Sequence, residues 1–163
     1  MDDKDIQDLK RKLRDKSDMY ARIVAVLAFG KIGKVNDKVV PDIEKALLDN
    51  EPIVRALAVV VLSRLEHRES LGFIKDLAND DDSIVRGVVA LAMGKLGDSG
   101  TLAGLERLTK DKETSVRASA ALGIGKLGNI AGIPALEGLL LNNNDKDNIA
   151  VELMSVASLW NLT

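Results

Sequence analysis

No cysteine occurs among the 163 residues, which excludes disulfides and thiolate chemistry and fits a reducing, cytoplasmic setting. Aromatic side chains make up only 2% of a chain that is 46% hydrophobic, so any core must be built from Ala, Val, Leu and Ile. Small aliphatics suit closely packed helices better than a β-sandwich, which favours aromatic and β-branched residues. Proline occurs three times, and strict alternation of apolar and polar residues is missing, which also argues against sheet. The expected fold is all-α. Neither sign of charge dominates, with 23 basic and 25 acidic residues and a net charge of −2. Phosphate binding needs a basic footprint, so nucleic acid is not the expected partner, and the same balance disfavours a membrane-surface adaptor. The first 18 residues are dense with Asp, Lys and Arg, unlike a signal peptide. No uncharged run approaches the about 20 apolar residues that a bilayer span requires.

What the chain does have is a beat. Arg22, Arg55, Arg86 and Arg117 follow one another at intervals of 33, 31 and 31 residues. Each occupies one place in one phrase, clearest as Asp82-Ser83-Ile84-Val85-Arg86 running on to Leu96-Gly97-Asp98. It returns as Glu113-Thr114-Ser115-Val116-Arg117 through Leu127-Gly128-Asn129. A period of this size signals stacked supersecondary units. Aligned on the arginine, a long helix reads RIVAVLAFGKIG, RALAVVVLSRLE, RGVVALAMGKLG and RASAALGIGKLG, with a fifth copy, ELMSVASLWNLT, from Glu152. A shorter amphipathic helix precedes each, with apolar faces at Ile6, Leu9 and Leu13; Ile43 and Leu47; Ile74 and Leu77; Leu102, Leu105 and Leu108; and Ile133, Leu136 and Leu140. The units are about 1–34, 35–67, 68–98, 99–129 and 130–163, together one repeat domain.

Punctuation supports this division. An acid or amide lies four residues before each aligned position, at Asp18, Glu51, Asp82, Glu113 and Asn148, where it serves as helix N-cap. Pro52 follows Glu51 at a first-turn position where proline loses nothing. Gly33, Gly97 and Gly128 fall where the long helix should stop, predicting left-handed C-terminal caps. Residues Leu141 to Asp145 lengthen the fifth unit and read as a surface turn. The acid and the arginine four residues on are in the favourable order for a helical ion pair, and in a stack the arginine can also reach the neighbouring unit's acid. The last unit changes both members, to Asn148 and Glu152. The ladder is therefore read as structural.

The phrase at residues 82–98, Asp-x-x-Val-Arg, small residues, then Leu-x-x-Gly-Lys-Leu-Gly-Asp as its ending recurs, resembles HEAT-like repeats. The resemblance is to the short class of prokaryotic scaffold proteins and phycobilin lyase subunits, and it covers essentially the whole chain. It implies a right-handed α-solenoid, an α/α superhelix of about five helix pairs, with second helices lining the concave side. It also implies protein binding more often than catalysis, an analogy from fold.

Counted from the arginine, positions +3, +6, +7 and +10 should pack inward: Ala25, Ala28, Phe29 and Ile32 in the first unit, Ala120, Gly123, Ile124 and Leu127 in the fourth. Positions +2 and +5 then look into the groove. They are Val24 and Leu27, Leu57 and Val60, Val88 and Leu91, Ser119 and Leu122, and Met154 and Ala157, an almost wholly apolar stripe. Such a stripe suits a partner protein, an amphipathic helix for instance, or a second copy of the chain. A basic row at +9 (Lys31, Arg64, Lys95, Lys126, broken by Asn161) borders it, favouring the helix dipole and offering a rim for acidic residues. Trp160, the sole tryptophan, is read as a plug for the terminal core, with an interface as the alternative. Residues 1–34 carry nine basic and six acidic side chains, a balance of +3, and residues 129–163 carry one and four, a balance of −3. That polarity, and an end at Asn161-Leu162-Thr163 without a polar capping helix, leaves dimerisation through the C-terminal end open beside the groove.

No reaction chemistry assembles. Gly123-Ile124-Gly125-Lys126 resembles part of a phosphate loop, but its glycines end a helix and Leu127 replaces the required Ser or Thr. His67 is the only histidine, so the His-Glu pairs of iron-holding HEAT-like hydroxylases are missing, and it reads as a surface-turn residue. HEAT-like alkylpurine DNA glycosylases use aromatic and acidic groups in a basic groove, which this groove lacks. Asp80-Asp81-Asp82 lacks the alternating ligands, glycine and distal glutamate of a calcium loop, and capping explains it. No catalytic residue, metal ligand or cofactor site is expected. The expected role is a protein-interaction scaffold that is not an enzyme. The alternative is an accessory subunit resembling phycobilin lyases, its groove accepting a tetrapyrrole or its carrier protein.

Overall fold

In the computed structural model, which describes residues 3–34, 36–141 and 149–162, every regular element is helical. In order these are α1 (Asp3–Arg14), α2 (Met19–Ile32), α3 (Val40–Ala46), α4 (Pro52–Leu65), α5 (Leu71–Asp76), α6 (Ser83–Leu96), α7 (Leu102–Leu108), α8 (Thr114–Leu127), α9 (Ile133–Leu141) and α10 (Ile149–Leu162). Short 3-10 turns lead into α3, α5, α7 and α9, and one follows α5. The even-numbered helices are the long members of the pairs. The all-α, helical-repeat architecture read from the beat is the one observed. The chain forms two compact units, residues 1–73 and 74–163.

Helices as short as α3 or α7 do not persist alone in water, because nucleation costs more than so few hydrogen bonds return. Burial holds them. Ile43 and Leu47 from the α3 hairpin are buried with Phe29 of α2 and Leu62 of α4 in the first unit. In the second, Leu105 and Leu108 of α7 and Leu136 of α9 join Val89, Ile124 and Val151. Each such aliphatic side chain contributes about 1.5–3 kcal/mol when fully removed from water.

The long helices start at Asp18, Glu51, Asp82 and Glu113, all four N-cap residues as anticipated. Asp18 accepts from the Ala21 amide and Asp82 from the Ile84 and Val85 amides, whereas the longer Glu51 and Glu113 make no capping bond. Asn148 and the turn at 142–145 lie outside the described residues.

The helix ends depart from expectation. Only Gly128 takes the left-handed conformation, with φ 72°. Gly33 (φ −57°) and Gly97 (φ −70°) have ordinary negative φ, and their need for glycine is spatial. A Cβ on Gly33 would meet Leu65 Cδ1 at 2.8 Å, and one on Gly97 would meet the Met93 carbonyl oxygen at 2.3 Å. At the equivalent place after α4 the left-handed residue is Glu66, with φ 58°.

The arginine ladder is structural but uses different acids. Of the acids at −4, Asp18 and Asp82 turn toward the amide ends of their helices, and each arginine folds back over the turn that precedes its own helix. Arg22 Nη1 donates to the Asp15 carbonyl at 2.9 Å, Arg55 Nη1 to those of Asp49 and Asn50, Arg86 Nη1 to those of Asp80 and Asp81, and Arg117 Nη1 to those of Asp111 and Lys112. Arg117 Nη2 donates to Thr114 Oγ1 at the start of its own helix, whereas the remaining nitrogens of Arg22 and Arg86 reach the next hairpin. Arg22 Nε and Nη2 grip Asp49 at 2.8 and 3.1 Å, and Arg86 Nε and Nη2 grip Asp111 at 2.7 and 2.9 Å, both bidentate. Asp49 and Asp111 sit six residues, not four, before the next arginine, and each also accepts the amide two residues on. The Arg86 guanidinium beside Asp111, helped by the Glu113 amide, holds that carboxyl below the usual carboxylate range against the opposing effect of burial.

Consecutive long helices approach closely where their side chains are smallest. A Cβ on Gly94 of α6 would lie 2.4 Å from the carbonyl oxygen of Gly123 in α8, and one on Gly123 would lie 2.6 Å from that of Ala90. A Cβ on Gly30 of α2 would meet Val61 of α4 at 2.6 Å, and one on Gly125 of α8 would meet Ser158 of α10 at 2.5 Å. This spacing decides how much of each long helix stays open.

Candidate functional site

The long helices bury their positions −1, +3 and +7, save for the half-buried Ala21 of α2 and Leu159 of α10, and leave one line of side chains accessible. In the first unit, Val24 and Leu27 of α2 are 53% and 46% exposed, while Leu57 and Val60 of α4 are half-buried. In the second unit, Val88 and Leu91 of α6, Ser119 and Leu122 of α8, and Met154 of α10 are half-buried, and Ala157 is exposed. None of these predicted stripe residues is lost to the core. The inward set holds with modest exceptions: Ala25, Phe29, Ala120, Gly123 and Ile124 are buried, whereas Ala28, Ile32 and Leu127 are half-buried.

The line is longer than the sequence reading made it. Stepping back four residues from +2 gives position −2, on the same helix face. Tyr20, Ile53 and Ile84 occupy it in the first three long helices, and all three are exposed. The signal was available as the i, i+4, i+7, i+11 series Tyr20, Val24, Leu27, Lys31, repeated as Ile53, Leu57, Val60, Arg64. In α8 this line turns more polar, yet Ser119 Oγ donates to the Ser115 carbonyl at 2.8 Å and so spends its hydrogen on its own helix.

Lys31, Arg64, Lys95 and Lys126 are all exposed in the last turns of their helices, where a cation meets the negative end of the dipole. Each therefore closes the lower end of an apolar line with positive charge. Trp160 does not plug a core. It is 83% exposed, together with Val156 one turn earlier, because no further helix among the described residues covers that side of α10.

His67 is not a free surface residue. Ser70 Oγ, wholly buried, donates to Glu44 Oε1 and lies 2.8 Å from His67 Nδ1, so the ring nitrogen is the donor in that contact. The chain Glu44–Ser70–His67 resembles a hydrolase triad only in composition. Its serine has no open face from which to attack a substrate, and its hydroxyl proton is already committed to the carboxylate. Asp82 and Asp80 of the acidic run are engaged with the amides of Ile84, Val85 and Asp82. A cleft of about 980 Å³ between α7 and α9, lined by Thr109, Lys110, Arg117, Pro134 and Leu139 among others, lies at the arginine turn and includes no stripe residue. No described helix is long and apolar enough to cross a membrane.

Paired helices joined by short turns, an arginine ladder along the turns and one accessible apolar line per long helix define a helical-repeat scaffold. The chain belongs to the HEAT repeat family, whose signature matches residues 6–94 and again 72–156. No curated protein matches its sequence. Among solved structures it is similar to a chain of the complex of CpcE and CpcF of phycocyanin lyase from Nostoc sp. PCC7120, with TM-score 0.78 and 18% identity over 97% of this chain. The match covers 65% of that longer chain. A designed armadillo repeat protein in complex with the peptide (KR)4 is similar at TM-score 0.64 and 18% identity, over 98% of this chain and 86% of that one. An engineered protein is similar at TM-score 0.67 and 17% identity, over 99% and 80%. At such identities the likeness is one of fold.

Proposed function

We propose that the chain is a non-catalytic interaction module whose long helices dock a partner protein along the line −2, +2, +5 and +9, the side a HEAT array turns to its concave face. One observation carries this reading: the line stays accessible and largely apolar while the flanking positions of the same helices are buried. An amphipathic helix fits the line best: in the first unit its apolar side meets Val24, Leu27, Leu57 and Val60 and its acidic edge Lys31 and Arg64, and in the second unit the equivalents are Val88, Leu91, Leu122 and Met154 with Lys95 and Lys126. Partner complexes of CpcE with CpcF, and of a designed armadillo protein with a basic peptide, are consistent with such use of the fold. The basic rim here favours a ligand of the opposite charge.

Affinity capture from the source cell with the wild-type chain and with a Leu57→Glu, Leu91→Glu variant tests the assignment, circular dichroism confirming that the variant is folded. Partners should be lost from the variant. Retention of the same partners by both would remove the docking line. A second reading, an accessory subunit of the phycobilin lyase kind that takes a tetrapyrrole or its carrier protein, draws on the similarity to the phycocyanin lyase complex. Titration with bilin or heme separates the two, since only the second produces an absorbance shift.

A further inference from the structure

Where Arg22 and Arg86 meet the acid of the next hairpin, a recess opens at the turn edge. In the first unit it holds about 350 Å³ between the α1–α2 turn and the end of the α3 hairpin, with Arg22 and Asp49 in its lining. That size lies within the range of small-molecule sites. The bidentate pair is neutral as a whole, so the other walls set the charge. Those are Arg14 and Lys16 on the α1 side and Lys45 of α3, all exposed. Arg14 and Lys16 enter no ion pair among the described residues. Lys45 Nζ lies 3.0 Å from Asp42, but Asp42 also takes Lys10 at 3.2 Å, so one carboxylate is divided between two lysines. The nearby Asp15 and Asp18 are outside the lining and accept from Ser17 and from the Ala21 amide.

The fold does not require these cations. The equivalent recess of the second unit, about 400 Å³, has Arg86 and Asp111 in its lining. There Ala78 and Asp80 stand where the first unit has Arg14 and Lys16, and Lys110 stands where it has Leu48. Asp80 and Asp81 offset two of the three cations Arg107, Lys110 and Lys112. The recess itself therefore follows from the arginine clip, whereas the surplus of three cations and the leucine are particular to the first unit.

We infer that this recess binds a small organic phosphate, its phosphoryl group on Arg14, Lys16 and Lys45 and its apolar part on Leu13 and Leu48. A phosphate monoester brings a charge of about −1.5 to −2 at neutral pH and three acceptor oxygens, where a carboxylate brings a single charge. Arg14 offers a planar fork to those oxygens, and the two lysines offer movable point charges. Leu48 is 85% exposed beside the half-buried Leu13, an apolar step that a bare phosphate ion would leave uncovered. No residue of the partner-docking line takes part, so the two assignments stand or fall separately.

Calorimetric titration at fixed ionic strength with butyl phosphate, inorganic phosphate and butyrate reads both halves of the site. One butyl phosphate should bind per chain, about tenfold more tightly than inorganic phosphate because its chain is buried on the two leucines, and butyrate should bind least. Lys16→Gln with Lys45→Gln should weaken butyl phosphate about tenfold, as expected for two exposed cations. Leu48→Ser should abolish the preference for butyl phosphate while leaving inorganic phosphate bound as before. Lys110→Gln with Lys112→Gln removes two exposed cations of the second unit and should change nothing. All these side chains lie at the surface, so the variants keep the fold. Absence of saturable binding of butyl phosphate at millimolar concentrations overturns the inference. So does a loss shared equally by the two lysine pairs, which would make the attraction a diffuse one. Vesicles of phosphatidic acid and phosphatidylcholine that bind the chain when butyl phosphate does not would assign the cations to a lipid surface and overturn it too. Leu57→Glu, Leu91→Glu should bind butyl phosphate as wild type does.

Discussion

Arg86→Ala is the sharpest probe of what keeps successive hairpins in register. The substitution removes four hydrogen bonds, two to the Asp111 carboxylate and one each to the carbonyls of Asp80 and Asp81. Asp111 would remain ionised with 10% of its side chain exposed, supported by the Glu113 amide. Breaking a buried pair from one side costs about 3–5 kcal/mol, because the remaining charge is left uncompensated. An exposed pair is worth at most about 1 kcal/mol. Against a typical stability of roughly 5–15 kcal/mol, the first figure is a large loss and the second a small one. Replacing both partners, as Arg86→Met with Asp111→Leu, should cost clearly less than the two single changes added together, since no charge is stranded. Urea unfolding followed by circular dichroism measures wild type, Arg86→Ala, Arg86→Met, Asp111→Leu and the double variant. A single-variant loss under about 1 kcal/mol, or a double variant equal to the sum, would refute the reasoning. The pair has a pH signature as well. The Asp111 carboxyl lies below its ordinary value of 3.8, so its stabilisation is complete above that value and lost as pH falls through the lower, folded one. The stability gap between wild type and Asp111→Asn should accordingly be constant near neutrality and close in strong acid.

Two further substitutions test the helix ends and helix contacts. Glu66→Gly should raise stability by roughly 0.5–1 kcal/mol, because φ 58° carries a steric cost for any residue with a Cβ; unchanged or lower stability in thermal unfolding would count against strain there. Gly94→Ala should cost about 1–3 kcal/mol or more, since its Cβ would lie 2.4 Å from backbone that has no rotamer to yield; a neutral result would mean α6 and α8 part easily.

Much of this was written in the chain. The 31-residue beat, the small-residue long helices and the acids at −4 placed four N-caps correctly, because an N-cap depends on local chemistry that a short window contains. The stripe at +2 and +5 was legible for the same reason, helical periodicity alone placing those residues on one face. Tyr20, Ile53 and Ile84 are equally legible, lying one turn before +2 on the same helix face. The acids that grip Arg22 and Arg86 also have a regular place, Asp49 and Asp111 each lying six residues before the next arginine, but an ion pair within one helix favours the nearer acid at −4.

By itself, then, the sequence determined the repeat, the fold class and which face of each helix is apolar, all of them properties of residues near one another along the chain. Tertiary structure alone decided which acid each arginine holds, that Gly33 and Gly97 are required by a neighbour's approach and not by φ, that Ser70 bridges Glu44 and His67, and that Trp160 stands in the open. Those outcomes depend on which atoms occupy the space beside a residue: for Arg22, Arg86, Gly33 and Ser70 it is filled by segments about 25 to 35 residues away, and for Gly97 by Met93 and Thr101, brought against it by the turn between α6 and α7.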